Sequence, residues 1–349
     1  MAVSRAVILP FPGDPFLLNY WLKLYDNIWG KEVDKLYVYL NSSIEKEVVD
    51  YIYDRAKRSK DVVVLYEPKM ADHGESINKT LDKVKEEYLA LIEDDALIFK
   101  QGMVDMCFSL LEGGKYDIVG SRRGSCALEI IEAAEKKWNI PETGYGDNGP
   151  NFWPCFFFTK TAILKQTTRH FGARAWKQGE NITPLSYVVA VPVVYGDTFV
   201  NTSLELRAMI PEERIYYVPQ YHLHPDDWRN FENSKTVFDG QAPWLHIGSL
   251  SSGVSGVLRD DFNRPLAYRT TREPEEAFKL ENWANTEMEK REWERRLCFW
   301  LLAWDNREEG KITEFADAYR HAIDLVIWQY KLSIKNILKM QSMYKSLGI

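Results

Sequence analysis

The chain has 349 residues, of which 45% are hydrophobic and 27% charged, a composition typical of a globular protein with one or two domains. The formal net charge of −7 argues against a general nucleic-acid-coating role. The four cysteines are scattered without a CxxC pair, which argues against a disulfide framework or a zinc site and favours a reducing compartment.

The lengths of the apolar runs bear on location. The N-terminal run ends at Pro10 and is too short for the apolar region of a signal peptide. The longest apolar run, residues 297–304, is far too short to cross a bilayer. We therefore expect a cytoplasmic protein without a transmembrane segment.

Strand and helix patterns alternate over the first hundred residues. Apolar runs and alternating patterns predict strands over residues 6–9, 35–40, 61–66 and 88–92. The intervening stretches predict helices over residues 16–27, 45–60 and 73–87. Strands that alternate with helices in this way are typical of a parallel α/β sheet.

The pattern changes along the rest of the chain. Strands are predicted over residues 118–120, 156–159 and 187–194, the last broken by Pro192, and a Gly/Ser-rich loop over 241–257 surrounds a short strand. Segments 273–306 and 311–347 are long and charged, show no strand pattern, and predict two helices joined by a turn over 306–310. We therefore expect an α/β domain over 1–265 and a helical C-terminal subdomain over 266–349.

Three adjacent acids, Glu93-Asp94-Asp95, stand between two apolar runs at the end of a predicted strand. Their mutual repulsion and partial burial are costly unless a counter-charge is present. Mg²⁺ and Mn²⁺ accept carboxylates together with phosphate oxygens, and ligands bind at the carboxyl ends of strands in α/β sheets. The triplet therefore predicts a metal site, with a solvated acidic turn as the alternative.

The order of these features resembles the nucleotide-sugar half of GT-A glycosyltransferases, most closely the large family 2 group. A first strand ending in a Pro loop leads through further strands and helices to His73-Gly-Glu-Ser-Ile-Asn78 and then to a strand that runs into the acidic triplet. Family members carry a DxD motif at about this distance, although Glu93 stands where many have Asp. The resemblance implies a GT-A fold, a Rossmann-like mixed sheet flanked by helices, with a nucleotide-sugar half over 1–100 and an acceptor half over 101–265.

The resemblance also implies roles for single residues. Asp95 matches the last acid of the motif, which binds the metal that bridges the donor diphosphate. Glu93 matches the first acid, which faces the donor ribose or the water shell of the metal, and Asp94 between them serves either role. Four further donor contacts are implied: Pro10 and Phe11 for the nucleobase, Asp72 for the base or ribose, and Asn78 for the phosphates or the sugar.

Two later residues complete the predicted site. The segment from Gly196-Asp197 to Arg207 resembles the family's "ED…R" segment, whose acid is the base of inverting members, so Asp197 is the predicted catalytic base of an inverting transfer. A retaining transfer, which needs no such base, is the alternative. A second alternative, which does not exclude the role of base, is that Asp197 caps a helix predicted over 201–209. His246 precedes a Gly/Ser loop and is the predicted additional metal ligand, in preference to the pair His222 and His224.

The acceptor side carries weaker signals. Phe152 and Trp153 either form an acceptor pocket or pack in the core, and Arg122 and Arg123 either meet an anionic group or lie in a solvated loop. On the last helix, Lys331, Lys335 and Lys339 recur every four residues, as a solvated face or as a contact to DNA or anionic lipid.

These features predict a metal-dependent hexosyltransferase that uses Mn²⁺ or Mg²⁺ and a nucleotide sugar, with a UDP-sugar as the expected donor. The acceptor stays open between a saccharide, a lipid-linked sugar, a protein and a modified nucleobase. Two alternatives are a nucleotidyltransferase that acts on sugar phosphates and a catalytically inactive GT-A-like binding module. The first is disfavoured because the loop Phe11-Pro-Gly-Asp-Pro15 after the first strand lacks the basic residue usual in that class.

Overall fold

The computed structural model of the protein describes residues 3–11, 14–41, 46–67, 72–123, 126–138, 140, 149–218, 244–246 and 287–346. The statements below concern these residues.

The described chain contains thirteen strands and ten α-helices in an alternating order over its first half. The strands are β1 (Arg5–Phe11), β2 (Lys35–Asn41), β3 (Val62–Glu67), β4 (Tyr88–Ile92), β5 (Ala96–Ile98), β6 (Ile118–Arg123), β7 (Asn151–Lys160), β8 (Arg174–Lys177), β9 (Asn181–Ile182), β10 (Tyr187–Val188), β11 (Val193–Gly196), β12 (Ile215–Tyr217) and β13 (Trp244–His246). The helices are α1 (Pro15–Leu24), α2 (Lys46–Arg58), α3 (His73–Leu81), α4 (Met103–Glu112), α5 (Leu128–Lys137), α6 (Thr161–Lys165), α7 (Val200–Met209), α8 (Glu287–Asp305), α9 (Thr313–Gln329) and α10 (Ile334–Ser346).

Seven strands form the central sheet in the order β12-β6-β7-β4-β1-β2-β3. β1, β2, β3 and β4 run parallel, and β7 runs antiparallel to both β4 and β6. The carboxyl ends of β1 to β4 therefore meet at one edge of the sheet, where ligands bind in folds of this kind. The predicted α/β fold, a mixed sheet flanked by helices and followed by C-terminal helices, is confirmed.

Strand β7 is longer than the predicted strand over 156–159 because Pro154 does not end it. Register with β6 shifts between Gly120 and Arg122, so that Gly120 lies opposite Phe157 and Arg122 opposite Phe152. Proline is tolerated in a strand at such an irregularity, where no ladder hydrogen bond is required of it. Phe152 and Trp153 are buried inside this strand, which favours core packing over an acceptor pocket.

The helix predicted over 311–347 is wrong, since two helices occupy that stretch. The apolar spacing continues across the break, but the backbone turns at Lys331, whose φ is +52°. Ser333 then accepts a hydrogen bond at Oγ from the backbone N–H of Asn336, at 3.3 Å, in the manner of an N-cap. The helix predicted over 73–87 is also too long and ends at Leu81, and helices α4 and α5 were not predicted.

The C-terminal helices pack on α1. The ring of Phe16 lies 5.0 Å from that of Tyr319, 5.3 Å from that of Phe315 and 6.1 Å from that of Trp304. The buried residues of these helices belong to the same hydrophobic cluster as those of one face of the sheet. The sheet and the C-terminal helices are therefore joined by continuous apolar packing, while the predicted boundary at 265/266 lies outside the described residues. None of the described helices is long and apolar enough to cross a membrane.

Truncation of Phe16 tests this packing. We expect Phe16→Ala to lower the free energy of unfolding by about 3–5 kcal/mol, because it leaves a cavity between α1 and three aromatic rings. Urea unfolding followed by circular dichroism measures the change. The matched control is Trp328→Ala, which truncates an exposed aromatic side chain and should change stability by less than about 0.5 kcal/mol. Equal losses in the two variants would contradict the packing described.

Candidate functional site

The acidic triplet follows β4 at the ligand-binding edge of the sheet. The backbone turns after the strand, where the N–H of Ala96 donates to the carbonyl oxygen of Glu93 at 3.0 Å, and the chain continues into β5. Asp95 is 8% exposed, and Glu93 and Asp94 are partly buried. The triplet is thus held in a short turn between two buried strands and is not an exposed acidic loop.

Asp94 carries the clearest sign of unfavourable electrostatics. Its Oδ2 is buried and has no hydrogen-bond partner among the described residues. Burial raises the pKa of Asp94 well above its ordinary value, and the neighbouring charges of Asp95 and Asp14 raise it further. A positive charge bound beside these carboxyls would relieve both the desolvation and the repulsion.

Asp14 is a buried acid that the sequence analysis did not single out. It caps α1, since its Oδ1 accepts hydrogen bonds from the backbone N–H groups of Phe16 and Leu17, both at 3.0 Å. Burial raises the pKa of Asp14 to about 7, against the lowering effects of these two backbone N–H groups and of the hydroxyl of Tyr319. The sequence contains the corresponding signal, because an acid followed by Pro15 is typical of a helix start.

His73 lies beside the triplet and was not among the predicted site residues. It is the first residue of α3, whose N-cap Asp72 accepts a hydrogen bond from the N–H of Glu75 at 2.8 Å. The Nε2 of His73 lies 3.3 Å from Oε1 of Glu93. Desolvation lowers the pKa of His73, against the raising effects of Asp95, Asp197 and Asp72. One imidazole therefore lies within electrostatic reach of the triplet and of the predicted base.

Asp197 is exposed and lies between β11 and α7. The capping alternative for this residue is wrong, because the N-cap position belongs to Phe199, with a φ of +72°. The carboxylate of Asp197 instead accepts a hydrogen bond from the N–H of the next residue, Thr198, at 2.7 Å. Its proximity to His73 places it on the same side of the molecule as the triplet, and its role as a base stays a prediction.

The backbone of His246 lies beside the triplet. Strand β13 pairs antiparallel with β5, and His246 stands opposite Ala96, the residue after Asp95. The pairing is anchored by Trp244, which is fully buried and stacks on Phe156 with ring centroids 4.5 Å apart. The side chain of His246 lies outside what the structure describes, as do His222 and His224.

Of the residues implied as donor contacts, Pro10 and Phe11 lie at the end of β1, whereas the side chain of Asn78 is hydrogen-bonded within the protein. Pro10 is buried near the end of β1, opposite Tyr39 of β2, and Phe11 stands opposite Leu40, with its side chain outside the description. The side chain of Asn78 is already engaged: it donates to the carbonyl of Arg169 at 2.7 Å and accepts from the guanidinium of Arg169 at 3.0 Å.

A close backbone contact fixes this part of the site. A Cβ on Gly74 would lie 2.0 Å from the backbone nitrogen of Gly172, so only glycine fits at that position. The contact presses the start of α3, with His73, against the segment 167–174. Asn78 and Arg169 hold the same two elements together further along the helix.

The donor atoms present suit a hard divalent cation, but the described residues do not complete a metal site. Carboxylates are the preferred ligands of Mg²⁺ and Mn²⁺, and the unpartnered Oδ2 of Asp94 is an oxygen that such an ion would satisfy. Among the described side chains, no three from His, Cys, Asp and Glu are arranged to hold a metal ion. The predicted ligands Asp95 and His246 therefore remain a prediction.

A cavity of about 780 Å³ lies beside α7. It is lined by the segment 167–174, by α7 and by β9, and includes the polar side chains of Arg174, His170, Asn201 and Glu205. The backbone of Arg174 pairs with Gly196, the residue before Asp197. Arg174, which lines the cavity, is therefore paired with the residue that precedes the predicted base.

Comparison with known proteins gives distant structural matches only. No protein-family model and no curated protein sequence matches the chain. TarS 1-349 of S. aureus is 11% identical with a TM-score of 0.39, and the match covers 99% of this chain and 92% of that one. Glucosyl-3-phosphoglycerate synthase from Mycobacterium tuberculosis, in complex with phosphoglyceric acid, is 17% identical with a TM-score of 0.31. That match covers 47% of this chain and 58% of the synthase chain. Because these values are low, the function proposed below rests on the residues of this chain.

The buried carboxyl of Asp14 predicts a pH dependence of stability. Its pKa of about 7 in the folded state exceeds the ordinary value of 3.8, so the native state binds more protons than the unfolded state between these pH values. Asp14 therefore contributes a stability that is fully present below pH 3.8 and is lost as pH rises towards 7. The change is up to about 4 kcal/mol.

Urea unfolding of the protein and of Asp14→Asn, at several pH values in a chelating buffer, measures this contribution. The stability of the protein relative to that of Asp14→Asn should fall as pH rises, because asparagine keeps the cap and cannot ionise. The stability of Asp54→Asn, a change at an exposed position on α2, should vary with pH as that of the unaltered protein does. Parallel curves for Asp14→Asn would show that the carboxyl of Asp14 is not held protonated.

Proposed function

We propose that the protein is a metal-dependent glycosyltransferase that moves a sugar from a nucleotide-sugar donor to an acceptor hydroxyl. The observation that carries the proposal is the set of buried, mutually repelling carboxyls at the end of β4, beside His73, whose pKa the charge of Asp197 also raises. A donor diphosphate and a divalent cation would supply the charge balance that this edge of the sheet needs.

The proposed roles follow the positions of the residues. Asp95, with His246, would hold Mn²⁺ or Mg²⁺, and the cation would neutralise negative charge on the departing diphosphate. Asp94 and Glu93 complete the acidic environment, and His73, whose pKa is lowered by desolvation, lies with its Nε2 3.3 Å from Oε1 of Glu93. The carboxyl ends of β1 and β2, around Pro10 and Phe11, receive the nucleoside.

Asp197 is the proposed base of an inverting transfer. Its carboxylate accepts the proton of the acceptor hydroxyl while the acceptor oxygen forms a bond to C1 of the donor sugar. The bond between C1 and the diphosphate oxygen breaks, and its electron pair leaves with the nucleotide diphosphate. Exposure of Asp197 leaves its carboxylate accessible to an acceptor.

The cavity beside α7 supports an acceptor-binding role for this half of the molecule. Its volume is about 780 Å³, and its lining combines amide, hydroxyl, cationic and carboxylate groups with apolar side chains such as Trp176 and Met209, so it offers an acceptor both polar and apolar contacts. A saccharide, a lipid-linked sugar, a protein side chain and a modified nucleobase are all compatible with such a lining.

A panel of nucleotide sugars with Mn²⁺ tests the proposal. We expect nucleotide release with at least one donor, UDP-sugars first among them, and a fall of about 100-fold or more in Asp95→Ala because the cation is no longer held. Chelation should have the same effect, with recovery on adding back Mn²⁺. Asp54→Asn is the matched control at an exposed position remote in sequence from the triplet.

The outcomes separate the alternatives. Release of pyrophosphate from a nucleoside triphosphate and a sugar phosphate would indicate a nucleotidyltransferase. Donor binding without turnover would indicate a binding module. If no donor is bound or hydrolysed, and Asp95→Ala binds as the unaltered protein does, the proposal is wrong.

The role of Asp197 has its own test. We expect Asp197→Asn to lower kcat by about 100-fold to 10,000-fold with little change in donor affinity, because the amide cannot accept the proton. An unchanged kcat, or a loss of donor affinity equal to the loss of rate, would contradict a role as base.

A further inference from the structure

The last helix presents an exposed face that the proposed function does not use. Ile334, Lys335, Leu338 and Lys339 are exposed and follow the i, i+1, i+4, i+5 spacing of one helical face. Ile337, Met340 and Tyr344 on the opposite face are buried. The exposed face of α10 is therefore amphipathic in its own right, with two large apolar side chains beside two ammonium groups.

Three large apolar side chains in this region are more than half exposed. Ile334 is 56% exposed, Leu338 is 51% exposed, and Trp328, in the last turn of α9, is 78% exposed. Lys331, also exposed, lies in the turn between the two helices. We call Trp328, Lys331 and the four exposed residues of α10 the C-terminal face.

The charge of this region is opposite to that of the whole chain. Residues 325–349 contain four lysines and no acid, whereas the protein carries a net charge of −7. Two acids on the packed helix α8 interact with residues of the C-terminal segment other than Lys331, Lys335 and Lys339. Glu294 accepts from the N–H of Ser333 and from Asn336, and Asp305 accepts from Gln341 and Lys345. Within the described residues, Lys331, Lys335 and Lys339 form no ion pair.

We propose that the C-terminal face docks on the surface of an anionic lipid bilayer. Lysines beside a membrane are attracted to acidic headgroups, and exposed Trp, Ile and Leu gain by entering the boundary between headgroups and acyl chains. The combination fits lipid better than DNA, because phosphate contacts use the lysines alone and leave the apolar side chains in water. Since none of the described helices spans a membrane, such docking is peripheral.

Vesicle co-sedimentation of the full chain tests the proposal. Vesicles of phosphatidylcholine alone are compared with vesicles that also contain phosphatidylglycerol, at low and at high salt. We expect binding to the anionic vesicles only, with loss at high salt because the attraction is screened. Lys335→Glu/Lys339→Glu should weaken binding about tenfold or more, and Ile334→Ser/Leu338→Ser should weaken it at every salt concentration.

The matched control is Lys83→Glu/Lys85→Glu, which makes the same charge change at two exposed lysines in the turn before β4. Circular dichroism and thermal unfolding confirm that each variant is folded. Equal binding to neutral and anionic vesicles, or equal losses in the control, would overturn the proposal.

Two further outcomes would also overturn it. Retention of duplex DNA that is lost in the lysine variant but kept in Ile334→Ser/Leu338→Ser would assign the face to nucleic acid. Self-association in sedimentation velocity that Ile334→Ser/Leu338→Ser abolishes, without vesicle binding, would assign it to a second copy of the chain.

Discussion

The cost of burying carboxyl groups at one edge of the sheet governs the whole candidate site. Asp94 has a buried oxygen without a partner among the described residues, and Asp14 and Asp95 add two further buried carboxyls to the same neighbourhood. A fold that existed only for stability would gain by replacing such groups with apolar ones. Their presence at the carboxyl ends of parallel strands is explained if the site is completed by cationic and anionic ligands during function.

His73 makes this acidic centre part of a larger arrangement. Its ring reaches Glu93, while the backbone behind it touches Gly172 so closely that only Gly74 can occupy the contact. The segment beyond Gly172 leads through Arg174 to the strand pair that ends beside Asp197. Segment 167–174 therefore contacts the start of α3, lines the cavity and leads into β8, whose partner strand β11 ends beside Asp197.

The sequence predicted those parts of the molecule in which local pattern and final structure agree. Strand β4 and the triplet after it are marked by an apolar run that stops abruptly at three charges, and the structure places them as expected. The strand predicted over 156–159 is too short because Pro154 is tolerated at a strand irregularity. The single helix predicted over 311–347 is wrong because Lys331 adopts a left-handed conformation within a continuous apolar spacing. His73 and Asp14 were missed as site residues because their importance arises from neighbours distant in sequence, and Asp197 could not be separated from a cap without the helix start at Val200.

Mn²⁺ binding followed by electron paramagnetic resonance is the most direct measurement of the central claim. The signal of free Mn²⁺ should fall on addition of the protein with UDP, to an extent that corresponds to one bound ion per chain, and Asp95→Ala should restore it. An undiminished signal in the presence of protein and nucleotide diphosphate, at concentrations that support donor binding, would contradict the assignment of the β4 edge as a metal–diphosphate site.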